Sequence, residues 1–396
     1  MESNSCSVQI IATSHPGFAA TKEQFDTFGG HAAGVCYMQD TFDALRAESP
    51  ERTAKRIKLT KENGHHSVYD HMNITLYLEN VPRIIECLLD NERMMTSSIK
   101  SGRYTRHALP EREGQLYDKW MDIFKGLIRD KYATGSNSNK FFSESRIEKL
   151  AQENSRLLSS AFTLVYMVHT LSYRQLNYVY GFIRDFIAKK TDNDFRNKLK
   201  PYLADLLKKL DETGYIDKDL TNNGKNRELS LFNNNVVQEY FGDVYATRYN
   251  ISYAIYLHTN RHRTLKHWIA DVPAPKDLEF YIPEILNDDK KLYKQWLADL
   301  DSLRENYPQA MLVDASEMGN LDDFKLKLYE RKCSVVMIET MRRTNDTLRK
   351  YVSALNAMGR NDLDVYLSGS RCTWKDLYKC PSVCGFADGI NEKRKI

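Results

Sequence analysis

The sequence predicts an α+β fold, and three observations carry that expectation. Between His71 and Val81 apolar and polar side chains alternate, with Ile74, Leu76 and Leu78 on one face, the period-two mark of a half-buried strand. Directly afterwards VPRIIECLLDNERMM changes to helical spacing through Ile84, Ile85, Leu88 and Leu89. Near the middle, LTNNGKNRELSLFNNN (about 220–235) is polar and turn-rich, the best candidate for a boundary. Strands followed by long helices point to a helix-rich α+β protein with small sheets, not to a doubly wound α/β one.

Each element follows in order. VQIIATS, about 7–13, reads as a buried strand ended by the His15-Pro16 turn. Residues 39–62 carry polar-rich helical periodicity, and the strand and helix just described follow. The spacing predicts an amphipathic helix over 114–131, then a GSNSN loop at Gly135–Asn139. From Glu148 to Ala188 apolar residues recur every three or four positions, which predicts one long helical region. KTDNDFRNKLKPYLADLLKKL is a further helix, whose proline kinks it or marks its start. Beyond the boundary, a strand is predicted over 244–256 and helices near 291–306 and 322–356.

Composition narrows the function classes. A chain of 396 residues is long enough for two core-bearing domains, and 42% hydrophobic with 28% charged residues is ordinary for a soluble globular protein. The net charge of +4 is spread without a basic block, so no large nucleic-acid footprint is expected, while a site for a phosphorylated metabolite fits. No apolar run reaches the roughly 20 residues of a membrane helix. MESNSCSVQIIATSHPG lacks the basic region and apolar core of a secretory signal. Seven cysteines at irregular spacing argue against a disulfide framework and for a reducing cytoplasm. No phosphate loop and no G-x-G-x-x-G in a strand–helix setting occurs.

Two short segments concentrate recognition chemistry. Ser101-Gly102-Arg103-Tyr104 offers a hydroxyl, a backbone N–H and a guanidinium on one loop, a set suited to a phosphate or a pyrimidine edge. Arg156 and Arg174 could add positive charge from a neighbouring helix. Arg261-His262-Arg263 is the second segment; outside any further context it is equally a solvated helix end. His65, Ser67, Asp70 and His71 invite a metal reading, but no companion ligand sits at zinc-site spacing, so none is assigned. Cys372, Cys380 and Cys384 have a spacing unlike common zinc modules, and a packed or inert tail is the expectation there.

These segments resemble the flavin-dependent thymidylate synthases, which carry R-H-R, seven residues, then S-x-R-Y in one run. Here the run appears twice, each copy broken at the opposite end. Seven residues before Ser101 lies Asn91-Glu92-Arg93, and seven after Arg263 lies Asp271. The first half also resembles the family in Ala32–Tyr37 (AAGVCY), in Gly64-His65-His66-Ser67-Val68-Tyr69-Asp70-His71, where Asp70 stands for a family Glu, and in Arg156 followed by Ser172-Tyr173-Arg174-Gln175-Leu176. The second half is similar through Arg261-His262-Arg263, Glu279-Phe280-Tyr281-Ile282-Pro283 and a cysteine-bearing tail.

The resemblance implies a tandem duplication: a first repeat over 1–215, a linker over 216–234 and a second repeat over 235–396, each with a small antiparallel sheet. It implies methylation of carbon 5 of deoxyuridine monophosphate, with methylenetetrahydrofolate, FAD and NADPH. By the same resemblance Ser101 and Arg103 are catalytic. Ser101, Gly102, Arg103 and Arg156 bind the nucleotide, and His65, Ser67, Asp70, Arg93, Arg174, Arg261, His262 and Arg263 hold the flavin. The family is a homotetramer with sites between subunits, which implies a dimer or higher oligomer of two-repeat chains. Ile99 stands at a family Glu, Leu88 at a Gln, and Ser172 and Tyr178 at asparagines. Those departures leave two alternatives: another 5-substituted product such as hydroxymethyl, or an inactive nucleotide-binding or structural homologue.

Overall fold

The structure, a computed structural model, describes residues 5–396 apart from 15–19, 104, 135–138, 140, 223–226, 375 and 382–383. Tyr104, the His15-Pro16 turn and most of the Gly135–Asn139 loop lie outside the described residues. The first elements are β1 (Ser7–Thr13), α1 (Lys22–Tyr37), α2 (Phe42–Arg46), α3 (Pro50–Glu62), β2 (Asn73–Pro82), α4 (Arg83–Asn91) and β3 (Met95–Ile99). Next come α5 (Glu111–Ile128), α6 (Glu144–Ser155), β4 (Leu164–Ser172), α7 (Tyr173–Ala188), α8 (Asp194–Glu212) and α9 (Lys218–Thr221). Then follow β5 (Tyr240–Phe241), β6 (Val244–Ser252), α10 (Tyr253–Thr259), β7 (Lys266–Ile269) and α11 (Lys290–Asp301). The last are β8 (Leu312–Asn320), α12 (Leu321–Arg331), α13 (Ile338–Ala357) and α14 (Ala387–Ile390). The fold is α+β with two separate four-stranded antiparallel sheets. No helix among the described residues is long and apolar enough to cross a membrane.

Three expectations need correction. The helical stretch expected from Glu148 to Ala188 is interrupted by β4, where Val165, Met167, His169 and Leu171 are the buried alternate residues. Its β-branched and aromatic content favours a strand, and the helices on either side mask its period in a long window. The helix expected over 322–356 is two helices, broken between Arg331 and Ile338. β1 is a half-buried edge strand, not a buried one, because only β2 flanks it.

The chain forms two compact units: residues 1–100 with 164–231, and residues 101–163 with 232–396. In the first unit the sheet order is β1-β2-β4-β3, and Ile74, Leu76 and Leu78 of β2 point into the core, as the alternation predicts. α4 is buried on every side, and its charges are answered locally. Arg83 pairs with Glu86 at 3.1 Å, and Asp90 accepts from Ser97 at 2.6 Å.

The second unit carries the order β5-β6-β8-β7. Its pairings run parallel to those of the first: Pro82 opposite Leu164 corresponds to Ser252 opposite Leu312, and Thr96 opposite Thr170 to Lys266 opposite Met318. In both sheets the second strand runs directly into a helix, and so does the fourth. The same offset sets Asn91-Glu92-Arg93 against Arg261-His262-Arg263.

Residues 101–163 join the second unit because their apolar faces share its core. Trp120, Phe124, Ile128 and Leu157 pack in one cluster with Ile285, Trp296 and Leu300, and the Trp120 and Trp296 rings meet edge to face at 4.8 Å. Asp299 accepts the Trp120 indole N–H at 2.8 Å. At one point the backbone pairs antiparallel between Ser160 and Pro308. Ala161 N–H donates to the Tyr307 carbonyl and Gln309 N–H to the Ser159 carbonyl, both at 2.8 Å.

Across the second sheet lies a buried ion pair. Lys327 of α12 donates to Glu317 of β8 at 2.6 Å, and Tyr245 and Tyr249 add hydroxyl donors at 2.6 and 2.7 Å. Burial alone pushes the Glu317 carboxyl up, but Lys327 and these donors outweigh it and hold the group ionised. Lys327→Met strands that carboxylate and should cost roughly 3–5 kcal/mol in chemical denaturation. Adding Glu317→Gln should recover most of the loss, and an unchanged denaturation midpoint for the single variant would refute the pairing.

Candidate functional site

Ser101-Gly102-Arg103 follows β3 and belongs to the second unit. Ser101 Oγ accepts the Arg103 N–H at 3.3 Å, and the Ser101 carbonyl accepts from Thr105 N and Oγ1 at 3.0 and 2.8 Å, a serine-closed turn. α6 holds this turn: Arg103 Nε donates to Glu153 at 2.8 Å and Gln152 Nε2 to the Gly102 carbonyl at 3.4 Å. A Cβ at Gly102 would meet His107 Nε2 at 3.2 Å and come within 3.8 Å of Arg156 Cδ. Glycine therefore lets the loop lie directly on Arg156, which is buried and donates to Met337 Sδ at 3.2 Å. Ser101, Gly102, Arg103 and Arg156 are thus brought together.

Arg261-His262-Arg263 forms the turn between α10 and β7, with Arg261 half-buried, His262 buried and Arg263 exposed. Arg331, from the end of α12, grips this turn. Its Nε donates to His262 Nε2 at 2.5 Å, its Nη1 to His258 Nε2 at 2.6 Å and its Nη2 to the His258 carbonyl at 3.3 Å. An imidazole nitrogen that accepts from arginine carries no proton, so each ring is neutral with its proton on Nδ1. His262 Nδ1 faces Glu330 at 3.5 Å, and His258 Nδ1 faces Thr340 Oγ1 at 3.2 Å. The Glu330 contact is therefore a neutral N–H pointed at a carboxylate, not an ion pair.

Burial first, then the Arg331 charge, keeps both imidazoles far below their ordinary range, His262 at about 2. Arg103 and Arg156 press further on His258, and Arg103 also acts on Arg331, which burial draws down to about 10. The Ser101–Arg103 loop and the Arg261–Arg263 turn, about 160 residues apart in sequence, lie in one unit. Beside them Glu339 of α13 accepts from Ser252 N and Oγ, each at 2.7 Å. Burial raises its carboxyl to about 7, against those two bonds and the charges of Arg343 and Arg156.

The other candidates gather in the first unit. Two residues beyond α3, Gly64 has a φ of +71°, the left-handed conformation that glycine adopts without strain. The following turn carries half-buried His65, exposed Ser67 and half-buried Asp70. Asp70 accepts from Ser172 at 2.6 Å and pairs with Arg174, whose guanidinium lies 5.5 Å from the Tyr178 ring centre. His65 Nδ1 meets Tyr37 OH at 2.7 Å. Gln175 Nε2 donates to the Arg93 carbonyl at 2.9 Å, which ties the chain at Arg93 to α7.

Asn91 and Glu92, the positional counterparts of Arg261 and His262, serve a different purpose. Glu92 takes Arg227 and the Ser230 N–H, and Asn91 donates to Ser230 Oγ at 2.8 Å. They clasp residues 227–230 within the first unit.

The sequence-predicted residues therefore fall into two sets, one in each unit. His258, Arg331, Glu153 and Glu339 are absent from the sequence reading. The His258-x3-His262 spacing, one helical turn, was a usable signal. Arg331, Glu153 and Glu339 look like any charged helix residue until the helices pack.

Residues 21–198 match the family described as thymidylate synthase complementing protein, just under half of the chain. The resemblance to the flavin-dependent thymidylate synthases stands on that segment. No curated protein matches the chain. Among solved structures, a UMP/dUMP methylase PolB from Streptomyces cacaoi, bound with 5-Br dUMP, is 15% identical with a TM-score of 0.34, over 55% of this chain and 93% of that one. Thymidylate Synthase X from Helicobacter pylori, with FAD and dUMP, is 14% identical with a TM-score of 0.31, over 55% of this chain and 99% of that one. Likeness at those scores carries no argument about the reaction.

Of the ten histidines, His258 and His262 should stay neutral from about pH 8 to about pH 5 in an imidazole nitrogen NMR titration. Their folded-state values lie below the unfolded one, so their stability contribution is complete above about pH 6.5 and is lost as pH falls below it, at up to about 1.4 kcal/mol per pH unit each. Two ordinary titrations near pH 6.5 would contradict the Arg331 arrangement.

Proposed function

We propose that this chain methylates carbon 5 of deoxyuridine monophosphate, using methylenetetrahydrofolate, FAD and NADPH, at a site composed from both halves of the sequence. The observation that carries the reading is the placement of the Ser101–Arg103 loop and the Arg261–Arg263 turn in one unit. The first supplies the serine-arginine end of the family run and the second its R-H-R end.

Arg103 and Arg156 bind the nucleotide's anionic and polar edges, with Ser101 able to donate its O–H while its Oγ accepts within the turn. The donor set fits a flavin. Arg263 is exposed and Arg261 half-buried, cationic guanidiniums that suit an anionic phosphate. Within the second unit, Arg261 and Arg263 would hold the flavin's phosphates. Bound and reduced, the flavin supplies the hydride. Neutral His262 moves no proton at working pH, and its role is to fix Arg331 and the turn. Arg103 stays oriented through Glu153, so the guanidinium meets the base or phosphate already positioned.

The reading includes the duplication, with repeats over 1–215 and 235–396. Support comes from the shared strand order, the corresponding registers and the Ser160–Pro308 bridge. By the β4–β8 offset that bridge pairs a residue with its own counterpart, as an isologous contact does. A dimer of such chains would supply the repeats that four single-repeat chains supply. A second reading, formation of another 5-substituted pyrimidine, is favoured by Ile99, half-buried on β3, and by Leu88, wholly buried where the family has a glutamine.

Purified protein should be yellow and release flavin on denaturation. Arg103→Ala should weaken deoxyuridine monophosphate binding by about 10- to 100-fold with flavin retained. Arg261→Ala or Arg263→Ala should lose flavin. Mass spectrometry of the product separates methyl from hydroxymethyl, and no product at all points to the inactive homologue. Full flavin and full turnover in both Arg261→Ala and Arg263→Ala would end the composite-site reading.

A further inference from the structure

A cavity of about 510 Å³ in the second unit is lined by four cysteines, Cys333, Cys372, Cys380 and Cys384, together with Arg146 and Arg371. Spacing along the tail brings three of them to notice. The fourth, Cys333, comes from the break between α12 and α13, about 40 residues earlier, and only the fold adds it. Four cysteines on one cavity wall are a ligand set that soft metals select.

A single zinc ion does not suit the geometry. Tetrahedral zinc holds its sulfurs at about 2.3 Å, which requires them to converge on one point. Among the described residues no three candidate ligands are gathered for one ion, and the cavity is far wider than an ion. A four-iron iron–sulfur cluster takes one thiolate on each iron and so keeps the thiolates apart. Its thiolate-bound form is anionic, and the two arginines answer that charge. Arg371 is fixed by donation to the Tyr329 carbonyl at 2.6 Å and lies 4.6 Å from the Tyr378 ring centre, while Arg146 lies 4.5 Å from the Phe141 ring centre. Ser334 and Cys384 are 3.0 Å apart, so the hydroxyl can donate to the sulfur, as groups around cluster ligands do.

We propose that Cys333, Cys372, Cys380 and Cys384 hold a four-iron iron–sulfur cluster in this cavity. The inference uses neither the nucleotide loop nor the flavin residues and stands apart from the proposed reaction.

The test is anaerobic purification, with reconstitution by equal amounts of ferrous and ferric iron plus sulfide, followed by iron and acid-labile sulfide assays and electron paramagnetic resonance after reduction. About four irons and about four sulfides per chain are expected, with a cluster signal that flavin does not give. Cys372→Ser and Cys384→Ser should each lower both contents severalfold, while Cys36→Ser, on the exposed face of α1, keeps them. Zinc without sulfide overturns the proposal, as does wild-type protein that takes up neither iron nor sulfide. Equal loss in Cys36→Ser also overturns it, since the iron would then be adventitious.

Discussion

The burial of residues 101–163 in the second unit is the constraint on which the rest of the arrangement depends. α5 carries Trp120, Phe124 and Ile128 on one stripe, and each such side chain favours burial by about 2–3 kcal/mol. Trp296, Leu300 and Ile285 offer the complementary face. Once that core forms, α6 is fixed, and with it Glu153 and Gln152, which hold the Ser101–Arg103 turn. An apolar contact thereby carries the Ser101–Arg103 turn into the unit that holds Arg261–Arg263.

The two triplets do different polar work. The triplet Asn91-Glu92-Arg93 is committed to structure, with Glu92 buried and clasping Arg227 and Ser230. Its counterpart keeps two arginines around a histidine that burial and Arg331 hold neutral. Guanidiniums at Arg103, Arg156, Arg261, Arg263 and Arg331 outnumber the nearby carboxylates Glu153 and Glu330, since Glu339 is protonated in part near neutrality. A surplus of that sign, partly buried, favours an anionic ligand.

Much of this was legible in the sequence. The strand at Asn73–Pro82 and the helix after it follow from period. β4 was hidden because nine residues of alternating pattern are flanked by two strong helices. Ser101-Gly102-Arg103 and Arg261-His262-Arg263 could be read from spacing, but their placement in one unit could not, because it depends on which core residues 101–163 join. Arg331 and Glu339 stayed invisible for a related reason. A charged residue on a helix acquires a role only from what the helix packs against.

The most direct measurement is hydrogen exchange by mass spectrometry with and without deoxyuridine monophosphate, on the flavin-loaded protein. The account predicts that nucleotide slows exchange together in the 101–105 loop and the 258–265 turn, because one ligand field spans both. Protection of the 101–105 loop alone, with the 258–265 segment unchanged, would contradict it.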